Sequence, residues 1–142
     1  MRFKNRIAFV TGAESGIGLC LTKLLIKEGC FVIASTFNKK ININSKKLIS
    51  FNLDVTNEKQ WMKIQKELKK KFKSIDILVN NAGIRLSGSI ESTSLKMWNH
   101  IINTNTTSVF LGTKYILPFL KKSKKGCIVN SSSITGIRGV KN

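Results

Sequence analysis

The chain is 142 residues long, 42% hydrophobic and 23% charged, which is ordinary globular composition and excludes disordered and collagen-like classes. It is strongly basic, with 25 Lys+Arg against 7 Asp+Glu and a formal charge of +18. No apolar stretch approaches the ~20 residues of a membrane span, so one soluble domain covering 1–142 is expected.

The first predicted strand, Arg6–Thr11, begins so close to Met1 that no signal or transit peptide is expected, and the default compartment is cytoplasmic. It runs into Thr11-Gly12-Ala13-Glu14-Ser15-Gly16-Ile17-Gly18 and then a helical pattern from Ile17 to Glu28, stopped by Gly29. A strand that ends on glycines and restarts as a helix aims unpaired amides and the positive helix end at one point. Gly12 permits the tight turn, Gly16 admits a pyrophosphate to the backbone, and Gly18 lets the helix lie close to the strand. In this strand–turn–helix setting the pattern reads as a dinucleotide cradle.

Strand two is predicted over Phe31–Thr36, followed by a short polar segment, Phe37–Lys47, with at most one helical turn. Leu48–Val55 reads as strand three. Thr56 is the candidate N-cap of a helix through Phe72, with Trp61, Ile64, Leu68 and Phe72 on one face. Strand four, Ile75–Asn80, leads into Asn81-Ala82-Gly83. One long helix is predicted over Ser94–Lys121, with Leu95, Trp98, Ile101, Ile102, Val109, Ile116 and Leu120 inward and Pro118 near its end. Strand five is Gly126–Ser132. Alternating strands and helices predict an α/β fold, a parallel sheet of about five strands covered by helices.

Cys20, Cys30 and Cys127 form no CxxC pair and no metal-ligand spacing, so buried reduced thiols and no metal are expected. The positive residues are mostly lysines scattered over helix faces and loops, such as Lys66, Lys69 and Lys70, without interleaved aromatics. Specific nucleic-acid binding is therefore not expected, nor is a membrane partner; attraction of anionic cofactors is the expected by-product. His100, the sole histidine, has no acid or nucleophile at fitting spacing and is given no chemistry.

Five blocks together resemble the short-chain dehydrogenase/reductases: Thr11-Gly12-x-x-x-Gly16-Ile17-Gly18, Leu53-Asp54-Val55-Thr56, Asn80-Asn81-Ala82-Gly83, Trp98 followed by Asn105, and Asn130-Ser131-Ser132-Ser133. The resemblance covers nearly the whole chain and implies a Rossmann-like, doubly wound sheet in the order 3-2-1-4-5, incomplete at its C-terminal side. It implies that Gly12, Ser15, Gly16, Ile17 and Gly18 hold the pyrophosphate, and that Asp54 accepts from the adenine amino group with Val55 packed nearby. It implies that Asn81 braces a strand end while Ala82 and Gly83 admit the cofactor. Asn105 matches the helix asparagine that steadies the proton relay, and Ser133 the hydroxyl that binds the substrate oxygen, with Ser132 the alternative one residue away. The bland roles are a helix-flanking acid for Asp54, an outward side chain for Asn105 and a turn residue for Ser133.

The family's Tyr-x-x-x-Lys pair, whose lysine lowers the tyrosine pKa, has no counterpart in these 142 residues: the only tyrosine is Tyr115, with Phe119 four residues later. The resemblance thus implies an N-terminal portion of an NAD(P)-dependent oxidoreductase acting on ketones or secondary alcohols, 3-oxoacyl thioesters among them, and inactive alone. The alternatives are a non-catalytic dinucleotide-binding module and a cationic nucleic-acid binder. Without the family's later elements strand five becomes a bare edge, and the usual homo-oligomer interface is incomplete. Strand two ends on uncharged Thr36, with Lys39 and Lys40 beyond, which favours NADP over NAD.

Overall fold

A computed structural model describes residues 1–138 of the chain. The strands β1 (Ile7–Val10), β2 (Phe31–Thr36), β3 (Leu48–Asn52), β4 (Ile77–Asn80) and β5 (Cys127–Asn130) form one sheet in the order β3-β2-β1-β4-β5. Every pairing is parallel, and helices make every crossover but one: β2 and β3 are joined by the helix-free segment 37–47, as its short polar sequence predicted. The helices are α1 (Gly16–Lys27), α2 (Glu58–Lys71), α3 (Leu95–Ile102) and α4 (Ser108–Leu120). Among the described residues no helix is long and apolar enough to cross a membrane.

The central strands are apolar throughout because helices cover both faces. Along β1 the side chains alternate. Phe9 joins Ile33, Leu78 and Trp61 in the core beneath α2 and α4. Ala8 and Val10 join Val32, Ala34 and Leu25 in the core beneath α1. Small side chains on the α1 side let that helix sit close to the sheet. Trp61, wholly buried, donates its indole N–H to the Val55 carbonyl at 3.0 Å and stacks on Tyr115. The predicted α2 face is therefore the packed one.

Helix ends follow local chemistry. Gly29, at φ +92°, closes α1: its amide reaches the Ile26 carbonyl while the Cys30 amide reaches that of Leu25. Asn57, not Thr56, caps α2, accepting the Gln60 amide at 3.2 Å; Thr56 is instead bonded back to Asp54. β3 stops at Asn52 rather than Val55, since its last partner is Thr36, the end of β2.

The single helix predicted over Ser94–Lys121 is interrupted. Residues Asn103–Thr107 form a π turn between α3 and α4. This polar run has weak helix propensity. Thr104 donates its hydroxyl to the His100 carbonyl, and Ser108 donates to that of Thr104, both competing with the regular ladder. Leu95 and Trp98, predicted inward, are exposed on the stretch before the turn; after it Ile116 and Leu120 are buried as predicted, together with Leu111, Tyr115 and Phe119. Two of the three cysteines also depart from expectation. Cys30 is buried, but Cys20 lies on the outer side of α1 and Cys127 on β5, and both are exposed. All four β5 residues are exposed, so the sheet ends in an uncovered strand among the described residues.

Asp76 ties the start of β1 to the segment ahead of β5. One oxygen accepts the Ile7 amide at 2.8 Å; the other accepts the Ser123 hydroxyl at 2.6 Å and faces Arg6 Nη1 at 3.3 Å. Partial burial works to raise its pKa, but the Ser123 hydroxyl, the Ile7 amide and the Arg6 guanidinium outweigh it and hold the carboxyl below the ordinary aspartate range. A depressed carboxylate contributes stability above its unfolded pKa and loses it as pH falls through the folded value. Asp76→Asn should therefore lower unfolding free energy by about 1–3 kcal/mol at neutral pH. Denaturant titrations from pH 7 down should show the difference from wild type shrinking below roughly pH 4.

Candidate functional site

The sheet reverses its winding at β1, with β2 on one side and β4 on the other, so the loops after these strands diverge and leave a crevice at their carboxyl ends. A cavity of about 520 Å³ lies there. Of the residues expected to hold a cofactor, Gly12, Ser15, Gly16, Ile17, Thr36, Asp54, Val55, Asn81, Ala82 and Gly83 all line it.

Gly18 does not line the cavity; it lies beneath. A Cβ there would press into the Gly12 carbonyl and the Asn81 amide group, so the helix approaches the strand only because the side chain is missing. Gly12 itself has φ +63°, and a Cβ on it would come within 2.9 Å of the Ala82 Cα. Ser15 precedes α1 in extended conformation, and its side chain makes no cap hydrogen bond. The first-turn amides of α1 thus stay unclaimed, with no acidic side chain in that turn to neutralise the helix end. Donors and partial positive charge converge on the cavity, which suits an anion.

The turn is held from the β4 side. The Thr11 hydroxyl accepts the amides of Asn81 and Ala82, each at 2.9 Å. In return the Asn81 side chain donates to the Thr11 and Gly12 carbonyls at 3.0 and 3.2 Å. From the β2 side, the Ala13 amide donates to the Ser35 carbonyl at 3.0 Å. The glycine turn is thereby fixed to both neighbouring strand tips.

Asp54 lines the cavity and also takes the helix-flanking role weighed for it. Its Oδ1 accepts the Thr56 amide at 2.9 Å and the Thr56 hydroxyl at 2.7 Å, which is the helix-flanking role. Both bonds fall on one oxygen, so Oδ2 remains for a ligand on the cavity wall.

The two residues expected to act on substrate stand outside the cavity lining. Asn105, in the π turn, clamps the loop after β4: its Oδ1 accepts the Ile84 amide at 2.8 Å and its Nδ2 donates to the Ile84 carbonyl at 2.9 Å. Ser133 is exposed beyond β5 and caps the short turn Ile134–Gly136, accepting from the Thr135 amide and hydroxyl. Tyr115 is also away from the cavity. Its phenol donates to Glu58 Oε1 at 2.8 Å, and burial together with that carboxylate pushes its pKa up, the opposite of what an acid–base tyrosine needs.

Sequence reasoning missed several lining residues. Glu14, Phe37, His100 and Thr104 all reach the cavity. Thr104 lies within the π turn and His100 one turn before it, and residue spacing did not announce that turn. Among the described residues no group of His, Cys, Asp and Glu could hold a metal ion.

The sequence profile described as short chain dehydrogenase matches residues 6–142. The chain belongs to the short-chain dehydrogenase/reductase family. It is 37% identical to a cyclopentanol dehydrogenase of Comamonas sp. (strain NCIMB 9872) over 97% of its own length and 58% of the relative's. It is 35% identical to the 3-oxoacyl-(acyl-carrier-protein) reductase FabG of Thermotoga maritima, over 98% of this chain and 60% of that one. A short-chain dehydrogenase from Leptospira borgpetersenii with bound NAD+ superposes with a TM-score of 0.91 at 26% identity, covering 99% of this chain and 56% of that chain. The chain thus spans under two thirds of the length of these relatives.

Gly12→Ala places a Cβ against Ala82 in a left-handed backbone position. It should destabilise the protein by about 1–2 kcal/mol, read as a lower denaturation midpoint with an unchanged slope.

Proposed function

We propose that these 142 residues are the cofactor-binding portion of an NAD(P)-dependent oxidoreductase that exchanges a hydride between nicotinamide and a ketone or secondary alcohol. The observation that carries the reading is the convergence of unclaimed α1 amides, glycine-opened backbone and the Asp54 carboxylate on one crevice at the sheet's reversal point. The amides of the Gly16–Gly18 turn would hold the dinucleotide's pyrophosphate. Asp54 Oδ2 accepts from the adenine amino group, with Val55 against the ring. Asn81 holds the turn rigid, and Ala82 and Gly83 leave room for the ligand beside β4.

The nicotinamide supplies or takes the hydride; positioning falls to the protein. Asn105 fixes the loop after β4 through Ile84 and so shapes the wall beside that ring. Ser133 offers its hydroxyl to the substrate oxygen from the tip of β5. The acid–base pair is not among these residues, because the one tyrosine is committed to Glu58. Substrates of the carbonyl and alcohol class are supported by relatives named for cyclopentanol and for 3-oxoacyl thioesters. A cytoplasmic setting fits the exposed thiols of Cys20 and Cys127, which a reducing compartment preserves.

Calorimetric titration with NADH and NADPH tests this directly. At least one should bind, and at a hundred-fold excess over Kd it should add about 2.7 kcal/mol of stability, raising Tm by several degrees. The same 142 residues should show no carbonyl reduction across a panel of ketones and 3-oxoacyl thioesters. Absence of binding by a folded chain removes the proposal; turnover removes the claim that the acid–base pair is missing.

A further inference from the structure

The adenosine end of the crevice carries a charge that the family motifs do not assign. Glu14, within the glycine turn, bends toward the tip of β2: its Oε1 accepts the Phe37 amide at 3.2 Å. The neighbouring Ala13 amide is tied to the Ser35 carbonyl on the same strand, which fixes where Glu14 sits. Its second oxygen, Oε2, is buried and has no hydrogen-bond partner among the described residues. Glu14, Thr36 and Phe37 form one wall of the cavity.

A carboxylate oxygen shut away from water without a donor is unfavourable, and a ligand that brings a donor relieves it. With the pyrophosphate on the start of α1, the group that reaches the tip of β2 is the adenosine ribose. A ribose with a free 2′-hydroxyl brings such a donor. A ribose bearing a 2′-phosphate brings negative charge and no obligatory donor, and it finds the Phe37 amide already taken by Oε1.

We propose that Glu14 sets the cofactor choice, accepting a ribose hydroxyl at Oε2 and repelling a 2′-phosphate, so that the site takes NAD(H) over NADP(H). This rests on the dinucleotide reading above and reverses the preference drawn from Thr36, Lys39 and Lys40. Thr36 is buried, with its hydroxyl directed to the Phe51 carbonyl at 3.5 Å. Lys39 and Lys40 are exposed and outside the cavity lining, past a turn at Asn38 with φ +55°. Charges so placed are screened by salt, whereas Glu14 acts inside the crevice.

The test is isothermal titration of the 142-residue chain with NAD+ and NADP+, repeated on Glu14→Gln, Glu14→Ser and the Lys39→Ala/Lys40→Ala double variant, with circular dichroism confirming each fold. Wild type should bind NAD+ at least about tenfold more tightly than NADP+. Both Glu14 variants should bring the two affinities to within about threefold, chiefly through tighter NADP+ binding, and the lysine variant should keep the wild-type ratio. A wild-type ratio near one or favouring NADP+, or a ratio unchanged in a folded Glu14 variant, overturns the role of Glu14 alone. Failure of folded wild type to bind either nucleotide overturns the dinucleotide reading itself.

Discussion

The site depends on backbone donors at the start of α1 being left without partners. Any helix begins with amides that its own carbonyls cannot reach, and most helices satisfy them with a capping side chain. Here Ser15 makes no such bond, while α2 and α3 are capped in the ordinary way by Asn57 and Ser94. The contrast is informative. The one helix start without a cap among these three is the one that opens onto the crevice.

Keeping those donors open requires the chain around them to be rigid, since a mobile loop would fold back on its own amides. The bonds among Thr11, Gly12, Asn81 and Ala82 supply that rigidity by joining the turn after β1 to the turn after β4. The same constraint explains the missing side chain at Gly18, where helix and turn pass too closely for a Cβ. Sequence, turn geometry and anion affinity are therefore one argument: residues chosen for close approach also leave the charge of the helix end uncovered.

Much of this was legible in the residues. Alternating apolar runs and helices gave a parallel sheet, its strand order came with the family resemblance, and the glycine turn was legible from its setting between β1 and α1. The α2 face was legible because Trp61, Ile64 and Leu68 recur at helical spacing. The break between α3 and α4 was not, because Leu95 and Trp98 have the spacing and apolarity of core residues and nothing in the residues marks that the turn before α4 leaves them exposed. Cys20 and Cys127 misled for a related reason: an apolar neighbourhood in sequence does not say which side of an element faces out. Glu14 went unweighed although it is the first acidic residue of the chain, because attention to a glycine pattern passes over what stands between the glycines.

β5 lies at the sheet margin with its side chains exposed, and it follows directly on Lys121, Lys122, Lys124 and Lys125. An open margin of this kind is a template onto which a second molecule can add its own strand. The cluster of ammonium groups, on a chain of formal charge +18, holds copies apart by mutual repulsion. Concentrated electrolyte weakens that repulsion, whereas the backbone groups along β5 are untouched by it.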